Sequence, residues 1–481
     1  MSRKLLVLTA LISLTFYGQS QAVTVETAKS NGTFDMTQTT SWTTSIVPNS
    51  TAYEANFTGG NTTSTYTLSS DMATGNFQVG NGTNQTINVT FDLGAARTWT
   101  VGGGGSGTYN NIGGYNSGSA FVATVTVKSG TLTLTGADGF AVGWTTRTRV
   151  AGTLEDNFII DGGTVNFNST SSNPGSVINK SGLLWVKSGS TLNTGGSSRL
   201  FVGGNRGASD PYLGTLQVDG TVNVANKLNF GQAYQGGTTL LSGTINLTAG
   251  AGNTQVTFYP GSKVSLSGGS IVATTHQTLG TTNNTNDLPG SQTNPGLLIG
   301  NGILNNLDVA FTNTTAGQFK LAPGTATAGG TIEIQSGNFT ESNGQIIALD
   351  LGSTSNDKLL VSTTGKSASI LNGITYSALD SLATASGDFD MVVAPSITYG
   401  GTALSTIGSD VPAVTGDNLV TLLTGLGYTR VTGTAPGANE FRYYVGDAGN
   451  GLKAIRVELA PEPATLSVLV LGGLVMLKRK W

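Results

Sequence analysis

One short unit keeps returning through the middle of this chain. It is an apolar residue, one or two spacers, a glycine, then Thr or Ser opening an alternating apolar strand. It reads Val127-Lys128-Ser129-Gly130-Thr131-Leu132-Thr133-Leu134, then Ile160-Asp161-Gly162-Gly163-Thr164-Val165-Asn166-Phe167. Shorter forms are Val218-Asp219-Gly220-Thr221-Val222-Asn223-Val224 and Leu241-Ser242-Gly243-Thr244-Ile245-Asn246-Leu247. The unit Val186-Lys187-Ser188-Gly189-Ser190-Thr191-Leu192 carries one extra residue, read as a bulge. Glycines 130, 163, 189, 220 and 243 stand 33, 26, 31 and 23 residues apart, a range in which self-similarity means a solenoid or an array.

Alternation of period two turns one face of each short strand inward, and glycine suits a corner that needs positive φ or close backbone approach. One such turn cannot bury its own apolar face, but a stack of them can. A second beat, apolar-Gly, marks further corners at Val142-Gly143, Val202-Gly203, Phe230-Gly231 and Ile299-Gly300. The unequal intervals fit coils with loops of varying length, such as 206–213, and are too short for propeller blades. The expected fold is all-β, a parallel β-helix (solenoid). A tandem immunoglobulin-like array is the rival, since strands every 8–12 residues would serve it too.

Only 10% of residues are charged, against roughly 25% in an average soluble protein. Disorder needs high net charge and low hydrophobicity; here Val, Ile, Leu and Thr are plentiful, so a folded β-rich chain is expected. There is no cysteine, which excludes disulfides, thiolate zinc sites and iron–sulfur clusters. The net charge is −3, and would be −7 without residues 1–22 and 461–481, each of which carries +2. Such a surface offers nucleic acid no electrostatic attraction.

Both ends read as addresses. Arg3 and Lys4 precede an apolar stretch from Leu5 to Phe16, and Ser20-Gln21-Ala22 places small residues where a signal peptidase reads. Residues 1–22 are expected to be a signal peptide cut after Ala22, with an uncleaved anchor as the alternative. At the other end Pro461-Glu462-Pro463 precedes an apolar run from Ala464 to Leu477, then Lys478-Arg479-Lys480 and Trp481. That run has 14 residues, short of the roughly 20 that span a bilayer comfortably. The basic end is expected to stay cytoplasmic. Residues 460–481 are thus expected to form a C-terminal transmembrane sorting tail. Between the ends, 23–375 is read as the repeat region and 376–459 as a β-rich C-terminal capping region, or a small separate domain. Within the latter, Asp417 is expected to cap a short helix reaching Gly427, with strands at 389–393 and 453–459.

The order of the C-terminal segment closely resembles the PEP-CTERM sorting signal of bacterial exported proteins. Its tail reads Lys-Arg-Lys where arginine-rich tails are commoner. The resemblance implies handling by an exosortase-type membrane peptidase that cuts near Pro461-Glu462-Pro463. It also suggests association with exopolysaccharide or biofilm material. The repeats resemble autotransporter-associated β-strand repeats. Ser41-Trp42 with Pro48 and Ala55-Asn56-Phe57 looks like the opening turn of such passengers. Leu321-Ala322-Pro323-Gly324, Leu349-Asp350-Leu351-Gly352 and Asp357-Lys358-Leu359-Leu360-Val361 look like their closing turns. This resemblance covers most of 40–375 and implies architecture alone. A true autotransporter ends in a long β-barrel translocator, for which there is no room after residue 375.

Candidates for chemistry are few. The single histidine, His276, lies in a Thr/Gln-rich stretch with no Gly-x-Ser-x-Gly elbow, and is read as an exposed loop residue rather than a triad member. The run Gly102 to Gly107 lacks the Lys-Ser/Thr of a phosphate loop. A polysaccharide hydrolase would want two carboxylates across a groove. The available sets are Glu155-Asp156 with Asp161, and Asp388 with Asp390, the latter two apart on a strand and so on one face. A lyase would want a base such as Arg206 beside Asp210. Each set is more simply a solvated turn or ion pair. Trp99, Trp144 and Trp185 with Tyr109 and Tyr115 could stack on a glycan if their faces align, though core packing is the simpler role. The sequence therefore points to a non-catalytic, cofactor-free, exported β-solenoid, sorted to the cell surface or matrix. A polysaccharide-active enzyme and a glycan-binding adhesin are the alternatives.

Overall fold

The computed structural model describes residues 24–460 except 58–61, 81–84, 103–109, 113–120, 137–139, 144–155, 170–175, 179–181, 196–197, 204–213, 232–235, 249–255, 260, 282–295, 311–318, 326, 342–344, 381 and 383–385. Over these residues the protein is all-β, and almost every strand pairs in parallel with the strand three further on. Phe121–Ser129 pairs with Asp156–Ile160, that strand with Gly182–Val186, and that with Thr215–Val218. Thr131–Gly136, Thr164–Ser169, Thr191–Thr194, Thr221–Val224 and Thr244–Leu247 form a second column. Phe140–Val142, Ser176–Ile178, Arg199–Val202, Lys227–Phe230 and Val256–Phe258 form a third. Three strands thus make one turn of the stack, consistent with a β-solenoid. Lys263–Thr281 and Gly296–Ala310 bend through all three columns without a break, each pairing with members of every one.

The corners explain the repeated glycines. Gly143, Gly203 and Gly231 have φ of 74°, 79° and 90°, and each N–H donates to the coil before, to Ile112, Ile178 and Val202 oxygens. These three belong to one corner, after the third column. Ile299-Gly300, grouped with them from the sequence, lies instead at the exit of the first column, where Ile299 pairs with Ser265 and Gly300 with Leu266. At Gly237 a Cβ would sit 2.0 Å from the Val202 oxygen, so close approach alone demands glycine there. The extra residue near Gly189 makes no strand bulge. It is taken up in a corner turn, where Ser190 N–H donates to Lys187 O at 3.0 Å, and Thr191–Thr194 pairs with Thr164 to Phe167 without a shift.

Alternation does what the pattern predicts. In each strand of the second column the apolar residue is buried (Leu132, Val165, Leu192, Val222, Ile245) and the Thr and Asn beside it face outward, while Thr194 takes an inward position. Stacked at the inter-strand spacing of about 4.8 Å, four of those asparagines form a ladder. Asn193 Nδ2 donates to Asn166 Oδ1 at 2.8 Å, Asn223 to Asn193 at 2.7 Å and Asn246 to Asn223 at 2.8 Å. The core changes character along its length. Near the start it is aromatic, with Trp99 centred 5.0 Å from Phe91, 5.5 Å from Phe77 and 5.9 Å from Phe57. Further on, Val, Leu and Ile dominate.

The two ends differ. At the start, Trp42 is fully buried, its indole N–H donates to Met36 O at 2.9 Å, and Ala28 bridges antiparallel to it. At the far end Ser396–Tyr399 is still parallel to Ser367–Ile370. Gly387–Ala394 also pairs antiparallel with Leu452–Ala460, which pairs antiparallel with Glu440–Gly449. The helix runs Leu419–Gly425, with Asn418 rather than Asp417 at its cap position. Asp417 Oδ1 still accepts the Leu419 N–H at 2.9 Å.

Candidate functional site

Of the carboxylates nominated from the sequence, Asp388 and Asp390 do come together. They lie on Gly387–Ala394 opposite Glu458 and Arg456. Arg456 Nε donates to Asp390 Oδ1 at 2.6 Å and Nη1 to Asp388 Oδ2 at 3.3 Å, while Nη2 reaches Asp447 O at 3.0 Å. The Asp390 hydrogen bond, followed by those of its other partners against the cost of burial, raises the Arg456 pKa further. Tyr444 OH donates to Asp388 at 3.4 Å, and the Arg442 guanidinium stands 4.2 Å from the centre of the Tyr444 ring. Burial, then the Asp388 charge, raises the pKa of Glu458. The result is a patch of acidic and basic side chains on one face of an antiparallel sheet, with the Arg456 guanidinium between Asp388 and Asp390.

In the other acidic set Asp156 and Asp161 stand in different surroundings. Asp156 is fully buried at the start of Asp156–Ile160, whereas Asp161 stands at the following corner with Lys187 Nζ 2.9 Å away. Glu155, Arg206 and Asp210 lie outside the described residues, as do Trp144, Tyr109, Tyr115 and Gly103 to Gly107. So do Ala22, Pro461, Glu462, Pro463, Lys478, Arg479 and Lys480.

The tryptophans part company. Trp99 is wholly in the core and donates to Thr74 Oγ1 at 3.1 Å. Trp185 faces outward on the first column, between Ile159 and Gln217 on the neighbouring strands. Its N–H donates to Asp219 Oδ2 at 2.6 Å, which Gln217 Nε2 also reaches at 3.1 Å, and Ser242 donates to Oδ1 at 2.5 Å. Burial resists ionisation of Asp219, but the donors from Ser242, Trp185 and Gln217 prevail and lower its pKa. Lys187 Nζ stands 4.9 Å from the centre of the Trp185 ring.

His276 is exposed but bonded on both sides, to Asn306 and Asp308. It lies within the strand Lys263–Thr281, at a register shift between Val272 and Gln277, rather than in a free loop.

Asp357 and Glu341 are buried acids that the sequence does not mark as ionisable groups. Asp357, 1% exposed, accepts the Gly330 N–H at 3.1 Å through Oδ1 and the Asp350 N–H at 3.0 Å through Oδ2. Burial, opposed by those two hydrogen bonds and reinforced by the Asp350 charge, pushes its pKa up to about 7. Glu341 accepts the N–H groups of Leu371 and Asn372 at 2.7 and 3.0 Å. The signal available was Asp357 at the head of an alternating strand, where a corner leaves backbone donors to satisfy. Among the described residues no three His, Cys, Asp or Glu side chains are placed to hold a metal ion. Comparisons with protein families, curated proteins and solved structures give no match.

Proposed function

We propose that this chain is an exported, non-catalytic β-solenoid that serves as a structural element of the cell surface or extracellular matrix. In this reading a signal peptidase removes 1–22, the C-terminal segment holds the chain at the inner membrane, and an exosortase-type peptidase acts near Pro461-Glu462-Pro463. Exopolysaccharide is the proposed surrounding material. The observation that carries the non-catalytic part is the engagement of Asp388 and Asp390 by one guanidinium. A general acid must hold a proton and a general base must be free to take one. Here Arg456 already occupies an oxygen of each carboxylate. The stack itself suits a rod, since a long parallel β-column needs neither disulfide nor metal to bury a continuous core.

Two measurements test the proposal. Mass spectrometry of the protein recovered outside the cell should show a chain that begins at Val23 and lacks Lys478 to Lys480; an intact Lys-Arg-Lys end would reject the sorting part. The purified chain should degrade neither neutral nor acidic polysaccharides, with or without calcium. Turnover abolished by Asp388→Ala or Asp390→Ala would replace the scaffold with the enzyme.

Trp185 favours the adhesin as a second reading. It is an outward aromatic on the first column, with amide, carboxylate and ammonium groups around it, a set that can stack on a sugar ring and bond its hydroxyls. Retention on an immobilised neutral glycan that Trp185→Ala abolishes would support it.

A further inference from the structure

Arg199–Val202 and Lys227–Phe230 are successive strands of the third column, paired Arg199 to Lys227, Leu200 to Leu228, Phe201 to Asn229 and Val202 to Phe230. Leu200, Val202, Leu228 and Phe230 belong to the core. Alternation therefore turns Arg199, Phe201, Lys227 and Asn229 to the outer face. Facing outward is not facing water here. Phe201 is 4% exposed and Asn229 7%, and Thr257, paired with Asn229 on the following coil, is 8% exposed. Arg199 and Lys227 are half-buried. This stretch of the outer face is sheltered, a setting in which charges act more strongly than in open solvent.

Two cations in register on neighbouring strands repel, and like charges so placed destabilise a sheet. Elsewhere the protein sets opposite charges together: Lys187 Nζ lies 2.9 Å from Asp161 Oδ2, and Arg456 Nε 2.6 Å from Asp390 Oδ1. Among the described residues no carboxylate pairs with Arg199 or Lys227. Arg199 Nε is buried and meets no acceptor of the protein, and Asn229 Oδ1 is buried and meets no donor. Buried polar atoms left unmatched cost stability, and in a native fold they point to a bound water or ion. Water does not offset two positive charges; an anion does. Register partners about 4.8 Å apart can both reach one carboxylate, Arg199 through its planar fork of donors and Lys227 as a point charge. Asn229 stands two residues along the same face from Lys227, with a carbonyl to which a sugar hydroxyl can donate.

We infer that Arg199, Lys227 and Asn229 form a binding site for an acidic polysaccharide. A uronate carboxylate sits between the two cations, and a hydroxyl of the same chain bonds Asn229. The site is separate from Trp185, which lies on the first column. It deepens the matrix reading by giving the surrounding glycan a charge, and rests on that reading only for the choice of a glycan. A net charge of −3 repels such a polymer at long range, so capture depends on a local pair of cations.

Isothermal titration calorimetry of the purified chain with a galacturonic acid oligosaccharide, and with the neutral galactose oligosaccharide, tests this. The acidic oligosaccharide should bind and the neutral one should not, and added salt should weaken the binding. Arg199→Gln and Lys227→Gln should each weaken it about tenfold. Asn229→Asp should abolish it, because the new carboxylate takes the place of the ligand's. The same change should raise the melting temperature of the unliganded protein, an effect that a purely structural asparagine would not give. No binding of the acidic oligosaccharide, equal binding of the neutral one, or full affinity in either glutamine variant would overturn the proposal. Displacement by an equal concentration of inorganic phosphate would also overturn it, in favour of a free anion. Should a variant fail to fold, the comparison of acidic and neutral oligosaccharides on the unmodified protein decides the matter. Failure here would leave the expected termini of the secreted protein untouched, and so is distinguishable from a failure of the export reading.

Discussion

Arg456 and Asp390 face each other across an antiparallel strand pair, with Nε 2.6 Å from Oδ1. The same guanidinium reaches Asp388 and the Asp447 carbonyl, so it ties three points of the C-terminal sheet together. Arg456 is largely buried at 16% exposure, while Asp388 is 46% exposed. Solvent should screen the Asp388 contact heavily and the Asp390 contact less. Arg456→Ala is expected to destabilise this sheet by about 2 kcal/mol, and Asp388→Ala by about 0.5 kcal/mol. Hydrogen exchange over 440–460 would read the difference. Equal effects would mean that the ion pair holds nothing in place.

Two glycines with left-handed backbone separate strain from crowding. At Gly189, φ is 79° and nothing lies within 4 Å of where a Cβ would be. At Gly300, φ is 100° and the Cβ would stand 2.0 Å from the Leu266 oxygen. Alanine at 189 should cost about 1–2 kcal/mol through backbone conformation alone. Alanine at 300 must also displace a neighbouring strand, and should cost more than twice as much. Urea midpoints of the two variants would show the order, and a Gly189 variant as weak as the Gly300 variant would refute it.

Asp357 makes stability depend on pH. Its pKa is pushed up to about 7 from an ordinary 3.8, chiefly by burial. The folded state therefore binds a proton more tightly than the unfolded chain does. The contribution is fully present below pH 3.8 and is lost progressively as pH rises to about 7, beyond which it changes no further. Asp357→Asn should flatten that slope in urea titrations between these limits. An unchanged slope would assign the pH dependence to other groups.

Much of the fold is legible in the sequence. Alternation fixes which face of Thr164–Ser169 is buried, because a slip of one residue would expose Val165 and Phe167 and bury Asn166. Glycine after an apolar residue marks a corner. Which corner it marks depends on the pairing partner, and Ile299-Gly300 pairs with Ser265 and Leu266 of the first column. The sharing of a face by Asp388 and Asp390 follows from strand periodicity. Their shared hydrogen bonding to Arg456 does not, since that residue lies 66 positions away from Asp390 and arrives through an antiparallel return. Trp99 and Trp185 likewise look alike in sequence. Only the register shows that Trp99 pairs with Leu132 inside and Trp185 with Ile159 outside.

That contrast yields the last prediction. Trp99 is surrounded by Phe57, Phe77 and Phe91 and is fully buried. Truncating it leaves a cavity that a packed aromatic cluster cannot close, and strips Thr74 Oγ1 of its indole donor. Trp99→Ala should cost about 3–5 kcal/mol. Trp185 sits on a sheet face with one side toward solvent, and its removal frees Asp219 to bond water while Gln217 and Ser242 still donate to it. Trp185→Ala should cost about 1 kcal/mol and leave the circular dichroism unchanged. A stability loss at Trp185 equal to that at Trp99 would make it a structural residue. A small loss accompanied by abolished retention on a glycan column would identify the outer face of the first column as the surface by which this chain meets its surroundings.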